Sequence, residues 1–163
     1  MAITIILEDG TGLTNSTSYV SIAEFKAYWT QNGVDYTAET DDTIALWVNN
    51  ATKYADDYYC YGGSVANDDQ ALLVPRIGWY DARGNSLDDS VPTQLKNAVC
   101  EIAGIRKTTR ATTETTGIKS KTVGPMSVTY GSASIGARVT YTGANACMKG
   151  LLCSGGGMTA LPR

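Results

Sequence analysis

The feature that most constrains the fold is a helical apolar repeat between Ile44 and Tyr58. Its apolar side chains recur three or four residues apart and therefore share one broad face of a helix: Ile44, Trp47, Val48, Ala51, Tyr54, Ala55 and Tyr58. Thr40 can cap this helix, and Asp41 and Asp42 place negative charge in its first turn, where the helix dipole favours it. The helix should stop before Gly62. A face this wide predicts packing against other helices.

Two further segments are predicted to be helical. Ser21 and Glu24 have capping-box spacing ahead of a helix that ends at Gly33, with an apolar face of Ile22, Phe25, Tyr28 and Trp29. A third helix should begin near Val91-Pro92. Its apolar seam is Leu95, Val99, Ile102 and Ile105, and its C-terminal end carries Arg106, Lys107 and Arg110.

The remaining segments predict short strands and an arm. Ile3 to Leu7 is predicted to be a strand, and residues 62–90 a long packed connection. "KTVGPMSVTYG" and "ARVTYTG" indicate a small hairpin, followed by a short helix near Asn145–Cys153 and a Gly-rich, mobile end. We therefore expect a mainly α (α+β) protein: a bundle of three to four helices with a C-terminal β-hairpin arm and short terminal helix. Residues 1–110 would form the helical core and residues 111–163 the Thr/Gly-rich arm.

Charge is distributed unevenly along the chain. Residues 1–107 contain seven basic and fifteen acidic side chains, whereas residues 108–163 contain six basic side chains and one acid. An acidic body with a basic tail is typical of a chain that contacts a partner or further copies of itself. The net charge of −3 and the 18% of charged residues disfavour a generic nucleic-acid binder.

The sequence contains no histidine. This excludes Ser-His-Asp and Cys-His nucleophiles, histidine metal sites and histidine pH switches. Acid pairs recur, but Asp41-Asp42 and Asp88-Asp89 suit helix starts, Asp56-Asp57 suits a polar helix face, and no loop has EF-hand spacing. No phosphate-binding loop is present. We expect no catalysis, no metal and no cofactor.

The cysteines and the N-terminal residues indicate the cellular compartment in which the chain is expected to work. The four cysteines, Cys60, Cys100, Cys147 and Cys153, form no CxxC pair, and Cys100 falls on an apolar helical face. "MAITIILEDG" has no basic region and too short an apolar run for a signal peptide, and no stretch is long enough to span a membrane. We expect reduced thiols, no disulfide and no membrane partner.

Fourteen aromatic side chains, ten of them Tyr, could in principle stack single-stranded bases. Most of them lie on the apolar faces of the acidic helical body, which favours a core or an oligomer contact because the accompanying positive charge is missing. Trp79 and Tyr80 lie in the long connection, and we expect them to contact another subunit.

Several segments, read in order, resemble one phage protein family. They are "EDGTGLTNSTSYVSIAEFKAYW", "NNATKYADDYYCYGG", "DQALLVPRIGWYDARGNSL" with the following "VPTQLKNAVCEIA", and "KSKTVGPMSVTY". Together they resemble the head–tail connector (head completion or adaptor) proteins of tailed phages, over residues 8–130. The chain departs from the family pattern at Leu73-Val74, where an aromatic often precedes the Pro-Arg pair, and after Tyr130.

The resemblance implies a helical adaptor in the virion neck, made in the host cytoplasm. It would form a dodecameric ring beneath the portal protein, extend the DNA channel without gripping DNA, and dock a stopper, tail terminator or other neck protein. The expected subunit and portal contacts are Arg76, Trp79, Tyr80, Lys119, Lys121, Arg138, Lys149 and Arg163. Some family members are labelled DnaT-like single-stranded-DNA-binding proteins, so DNA binding stays open as the alternative.

Overall fold

The protein is described by a computed structural model that covers residues 3–105 and 141–152, and the backbone of residues 120–123 and 126–129. These parts contain four helices: α1 (Ile22–Gln31), α2 (Asp41–Tyr58), α3 (Thr93–Ile105) and α4 (Thr142–Met148). They also contain two antiparallel strand pairs: β1 (Ser64–Val65) with β2 (Arg76–Ile77), and β3 (Ser120–Val123) with β4 (Met126–Thr129). The fold is mainly α with small β elements, which confirms the predicted class.

The first two helices begin where their capping residues predict. The Ser21 hydroxyl accepts a bond from the backbone N–H of Glu24 at 3.2 Å, and the Glu24 carboxylate accepts one from the backbone N–H of Ser21 at 2.8 Å. This reciprocal pair is the predicted capping box. The Thr40 side chain accepts from the backbone N–H of Thr43 at 3.3 Å and starts α2.

The core centres on α3, which packs against both α2 and α4, with α1 against α2 and α3. The predicted faces of α2 and α3 are confirmed, because the fully buried side chains include Ile44, Val48, Ala51, Ala55, Leu95, Val99 and Ile102. The aromatic residues of α1 and α2 complete the packing. Tyr36 lies 5.1 Å from Phe25 and 6.2 Å from Trp47 between ring centroids, in edge contacts that favour aromatic pairs.

The N-terminal segment is not the predicted strand. Its only ladder contact is a single parallel bridge between Leu7 and Ser18. The backbone donors that follow are satisfied instead by the buried Glu8 carboxylate, which accepts N–H bonds from Gly10, Gly12 and Leu13 at 3.1, 2.9 and 3.0 Å. Within the segment itself, the backbone N–H groups of Ile3 and Ile6 donate to side chains, to Asp42 at 3.1 Å and to Thr17 at 3.0 Å, and not to a neighbouring strand.

The C-terminal elements agree with the predictions in part. The hairpin is confirmed, with Lys121 opposite Val128 and Val123 opposite Met126. The terminal helix spans Thr142–Met148 and not Asn145–Cys153, so the predicted β structure of "ARVTYTG" is wrong at Thr142 and Gly143; the rest of that stretch and the Gly-rich end lie outside the described residues. Met148 and Leu151 are buried in the main core, so α4 belongs to the body of the protein.

The prediction of wholly reduced cysteines is wrong. Cys60, just after α2, is disulfide-bonded, whereas Cys100 and Cys147 are free thiols. A reducing compartment was the ground for that prediction, and it says nothing about which cysteines the fold brings close together. Cys100 is buried on α3 as predicted, and burial raises the pKa of its thiol to about 12.

Candidate interaction surface

Trp79 anchors the long connection between α2 and α3 to the core. Its side chain is 1% exposed, and its indole N–H donates to the carbonyl of Leu151 at 2.9 Å. Its ring meets Tyr61 edge-on with centroids 5.5 Å apart. Trp79 therefore packs inside its own subunit, where it ties the connection to the segment that follows α4, and offers no surface to a partner.

The side chain of Tyr80, unlike that of Trp79, is exposed to solvent. Its side chain is 58% exposed, and Ile77 on β2 is 48% exposed. The backbone around Tyr80 is fixed, because the N–H of Leu87 donates to the carbonyl of Trp79 at 2.8 Å and Tyr80 pairs with Ser86. Because the backbone next to the buried Trp79 is fixed, the exposed Tyr80 ring is already held in place. A later contact through Tyr80 therefore costs little conformational entropy.

A polar turn completes this support. The Asp81 carboxylate accepts bonds from the backbone N–H groups of Arg83 and Asn85, both at 2.8 Å, and from the Asn85 side chain at 2.9 Å. These bonds, with those of the Asn85 amide foremost, lower the pKa of Asp81. Asp81 therefore stabilises the turn through hydrogen bonds within it.

An open groove of about 460 Å³ lies beside Tyr80. The backbone N–H of Ala82 donates to the carbonyl of Gly150 at 3.0 Å, so the end of α4 forms one wall. This bond also brings the neighbourhood of Lys149 next to that of Arg83. The groove is lined by Gly62, Gly78, Trp79, Tyr80, Asp81, Ala82, Gly150 and Leu152.

Arg76, one of the predicted contacts, is occupied inside the subunit. Its guanidinium donates to the carbonyls of Leu73 at 3.1 Å, Gly63 at 2.8 Å and Gly62. A guanidinium held by three carbonyls fixes the β1–β2 region. Arg76 thus stabilises the backbone at Gly62, one of the residues that line the groove.

The cations beside the groove, Arg83 and Lys149, differ from Lys26 and Lys96 in forming no ion pair among the described residues. Lys26 and Lys96 form ion pairs of 2.7 Å with Asp41 and Glu24. Within residues 3–105 and 141–152, Arg83 and Lys149 form no ion pair, and both are exposed. Lys53 on α2 is a third exposed cation without one. Arg83 and Lys149 thus place two exposed positive charges beside a groove whose lining includes the Asp81 carboxylate, on a body that holds fifteen acidic and six basic side chains in the same residues.

A second surface with exposed apolar side chains lies at the start of α2. Val34 is 40% exposed and Leu46 is 48% exposed. The segment between them contains four acids and no base. Tyr36 packs on Trp47, so the segment after Val34 lies beside the turn of α2 that carries Leu46. This surface is acidic, in contrast to the Tyr80 groove.

Asp56, which the sequence predicts to lie on a polar helix face, is a partly buried acid. Asp57 is exposed as expected, but Asp56 accepts bonds from the Tyr19 hydroxyl at 2.7 Å and from the backbone N–H of Leu73 at 3.1 Å. The Tyr19 oxygen in turn accepts from the N–H of Val74 at 3.0 Å. Burial raises the pKa of Asp56 to about 6, with a smaller contribution from the neighbouring Asp57 charge. The network fastens α2 to the segment that leads to the groove.

Of the predicted contact residues, the structure brings Arg76, Trp79, Tyr80 and Lys149 into one region, and only Tyr80 and Lys149 are exposed there. The side chains of Lys119, Lys121, Arg138 and Arg163 lie outside the described residues. Arg83 was missed, although "DARGNS" marked it as a turn residue next to the predicted aromatic pair. In the part of the chain that the structure describes, no helix is long and apolar enough to cross a bilayer and no cluster of three metal-binding side chains occurs.

Comparison with protein families gives one match. The model of the family described as "Putative DnaT-like ssDNA binding protein" matches residues 3–163. No curated protein and no solved structure matches the chain.

Proposed function

The chain belongs to the family described as "Putative DnaT-like ssDNA binding protein", and we propose that it is a non-catalytic structural protein that works by assembly, as a head–tail connector of a tailed phage. It would form a ring beneath the portal protein, extend the DNA channel and dock the next neck or tail component. The resemblance of residues 8–130 to connector proteins supports this proposal.

The observation that carries the proposal is the pairing of an acidic body with a packed aromatic core. Single-strand binders combine a basic groove with exposed rings on which bases stack. Among the described residues, Tyr80 is the only exposed aromatic, and acids outnumber bases fifteen to six. Such a body repels phosphate and suits a channel wall through which DNA passes without being held.

The partners follow from this role. Copies of the chain, the portal protein and a stopper or tail terminator would bind it, and genomic DNA would pass through without specific contacts. A ring built from one kind of subunit needs two different surfaces that complement each other. The acidic body and the basic residues of the tail, such as Lys119 and Lys121, provide charges of opposite sign for such contacts.

A charge-reversal experiment tests this function. We expect Lys119→Glu with Lys121→Glu to weaken ring or portal association at low salt, and Lys53→Glu, the same change on the acidic body, to leave it intact. Assembly is followed by sizing the purified full chain with and without portal protein. Unchanged assembly of the tail variant would remove Lys119 and Lys121 from the interface, and a chain that neither assembles nor binds portal protein would refute the connector role.

Single-stranded DNA binding is the second candidate, and the family description favours it. The basic residues of the tail, rather than the acidic body, would then supply the phosphate contacts. This function predicts an affinity for labelled oligothymidylate that falls linearly with salt on logarithmic axes, with a slope that reports several contacts. The Lys119→Glu and Lys121→Glu variant would lose that affinity and reduce the slope. A flat titration at low salt rejects this candidate.

A further inference from the structure

Four large apolar side chains are exposed among the described residues, and they fall into two pairs of opposite electrostatic surroundings. Ile77 and Tyr80 belong to the chain segment that carries Arg83, and the bond from Ala82 to Gly150 brings the neighbourhood of Lys149 to that segment. We call Ile77, Tyr80, Arg83 and Lys149 the groove surface. Val34 and Leu46 lie near Asp35 and Asp42, and we call these four residues the acidic end. Resting on the proposed assembly function, we propose that the groove surface of one copy binds the acidic end of a second copy.

The two surfaces match in chemistry. Each has exposed apolar side chains, whose burial favours association at about 25 cal/mol for each Å² removed from water. The exposed charges of the two surfaces differ in sign: Arg83 and Lys149 on one side, and Asp35 and Asp42 on the other. Opposite charges around an apolar centre steer two copies together and fix their register.

The same charges oppose contact of either surface with its own copy. A groove surface set against a second groove surface would place Arg83 and Lys149 opposite the same cations. Like charges held together at an interface are repulsive. The groove surface comes from the connection before α3 and the end of α4, and the acidic end comes from residues 34–46, so the two surfaces share no residue and one copy can offer both. Repetition of this contact produces a ring when the rotation closes.

A second copy fits the groove better than a nucleic-acid strand does. Only one exposed ring is present among the described residues, whereas a strand needs several for successive bases. Tyr is also enriched at protein interfaces, where its ring and hydroxyl both find partners.

Complementation between two full-length variants tests the contact. A groove variant carries Tyr80→Ser and Arg83→Glu, and an end variant carries Leu46→Ser and Asp42→Lys. All four side chains are exposed, so circular dichroism and thermal unfolding should show both variants folded. Lys53→Glu is the matched control, since Lys53 is an exposed cation outside both surfaces.

The masses of the assemblies formed by the wild type, the variants and their mixture distinguish the possible outcomes. The wild type and Lys53→Glu should assemble at low salt, and each double variant should associate at least about 10-fold more weakly. An equal mixture of the groove and end variants should form heterodimers and nothing larger, because one intact groove then meets one intact end. Three results overturn the contact: a wild type that stays monomeric, assembly that either variant leaves unchanged, and a mixture that stays monomeric.

The failure of this contact and the failure of the connector function can be told apart. Assembly that persists in both double variants refutes the contact while the ring survives, so another surface must build it. If the wild type instead binds oligothymidylate and Tyr80→Ser with Arg83→Glu abolishes that binding, the groove is a nucleic-acid site and the proposal is overturned.

Discussion

Asp56 should make the stability of this protein depend on pH in a range where few other groups titrate. The chain has no histidine, and burial raises the pKa of Asp56 to about 6. In the unfolded chain an aspartic acid titrates near about 3.9. The folded state therefore holds a proton on Asp56 at pH values where the unfolded chain has lost it. A group of this kind stabilises the fold fully below its unfolded pKa, and that stabilisation is lost as the pH rises through the folded pKa.

The magnitude follows from the two pKa values. Between about pH 5 and about pH 7.5 the folded state releases nearly the whole proton, whereas the unfolded state has almost none left to release. Integrated over this range, the free energy of unfolding should fall by about 1.4 kcal/mol. The loss should be absent in Asp56→Asn, which cannot ionise.

Denaturant unfolding at the two pH values, followed by tryptophan fluorescence, measures this difference. Asp57→Asn is the matched control: it removes an exposed acid from the same helix and should keep most of the slope, because burial is the larger cause of the Asp56 shift. Asp56→Asn should also be less stable than the wild type at about pH 5, since one of the bonds to Tyr19 and Leu73 loses its acceptor. Equal slopes for the wild type and Asp56→Asn would refute the assignment of the raised pKa to Asp56.

Three further substitutions have predicted outcomes that equilibrium unfolding can check. Glu8→Gln should cost about 2 kcal/mol, because an amide nitrogen replaces one carboxylate oxygen that accepts backbone N–H bonds; no loss would mean that the turn is held otherwise. Gly104→Ala should destabilise by about 1–3 kcal/mol, although Ala favours helices, because the new Cβ would overlap the Trp29 ring; a gain in stability would contradict this packing. Met148→Ala should cost about 2–5 kcal/mol because Met148 is fully buried; a neutral result would show that α4 does not contribute to the core.

The helices were predictable because their signals are local. The capping box at Ser21 and Glu24 and the apolar face of α2 need only residues within a few positions of each other, and both are present in the structure. The Ile3–Leu7 strand was mispredicted because the backbone N–H groups of Ile3 and Ile6 donate to the side chains of Asp42 and Thr17 and not to a neighbouring strand. Hydrophobic alternation carries no information about such side chains.

The candidate surface was predictable only in part, for a related reason. The sequence singled out Trp79 and Tyr80 as a pair, but burial of one and exposure of the other depend on the approach of Leu151 from the far end of the chain. The same approach places Lys149 near Arg83. Contacts between residues this distant in sequence leave no periodic pattern, and neither does the disulfide at Cys60.

We propose that the chain is a structural protein that works by assembly. Electron micrographs of the purified chain at low salt, without nucleic acid, show whether it assembles by itself. We expect closed rings with one central opening wide enough for duplex DNA. Particles of single-subunit size, or assemblies that appear only after single-stranded DNA is added, would contradict this proposal.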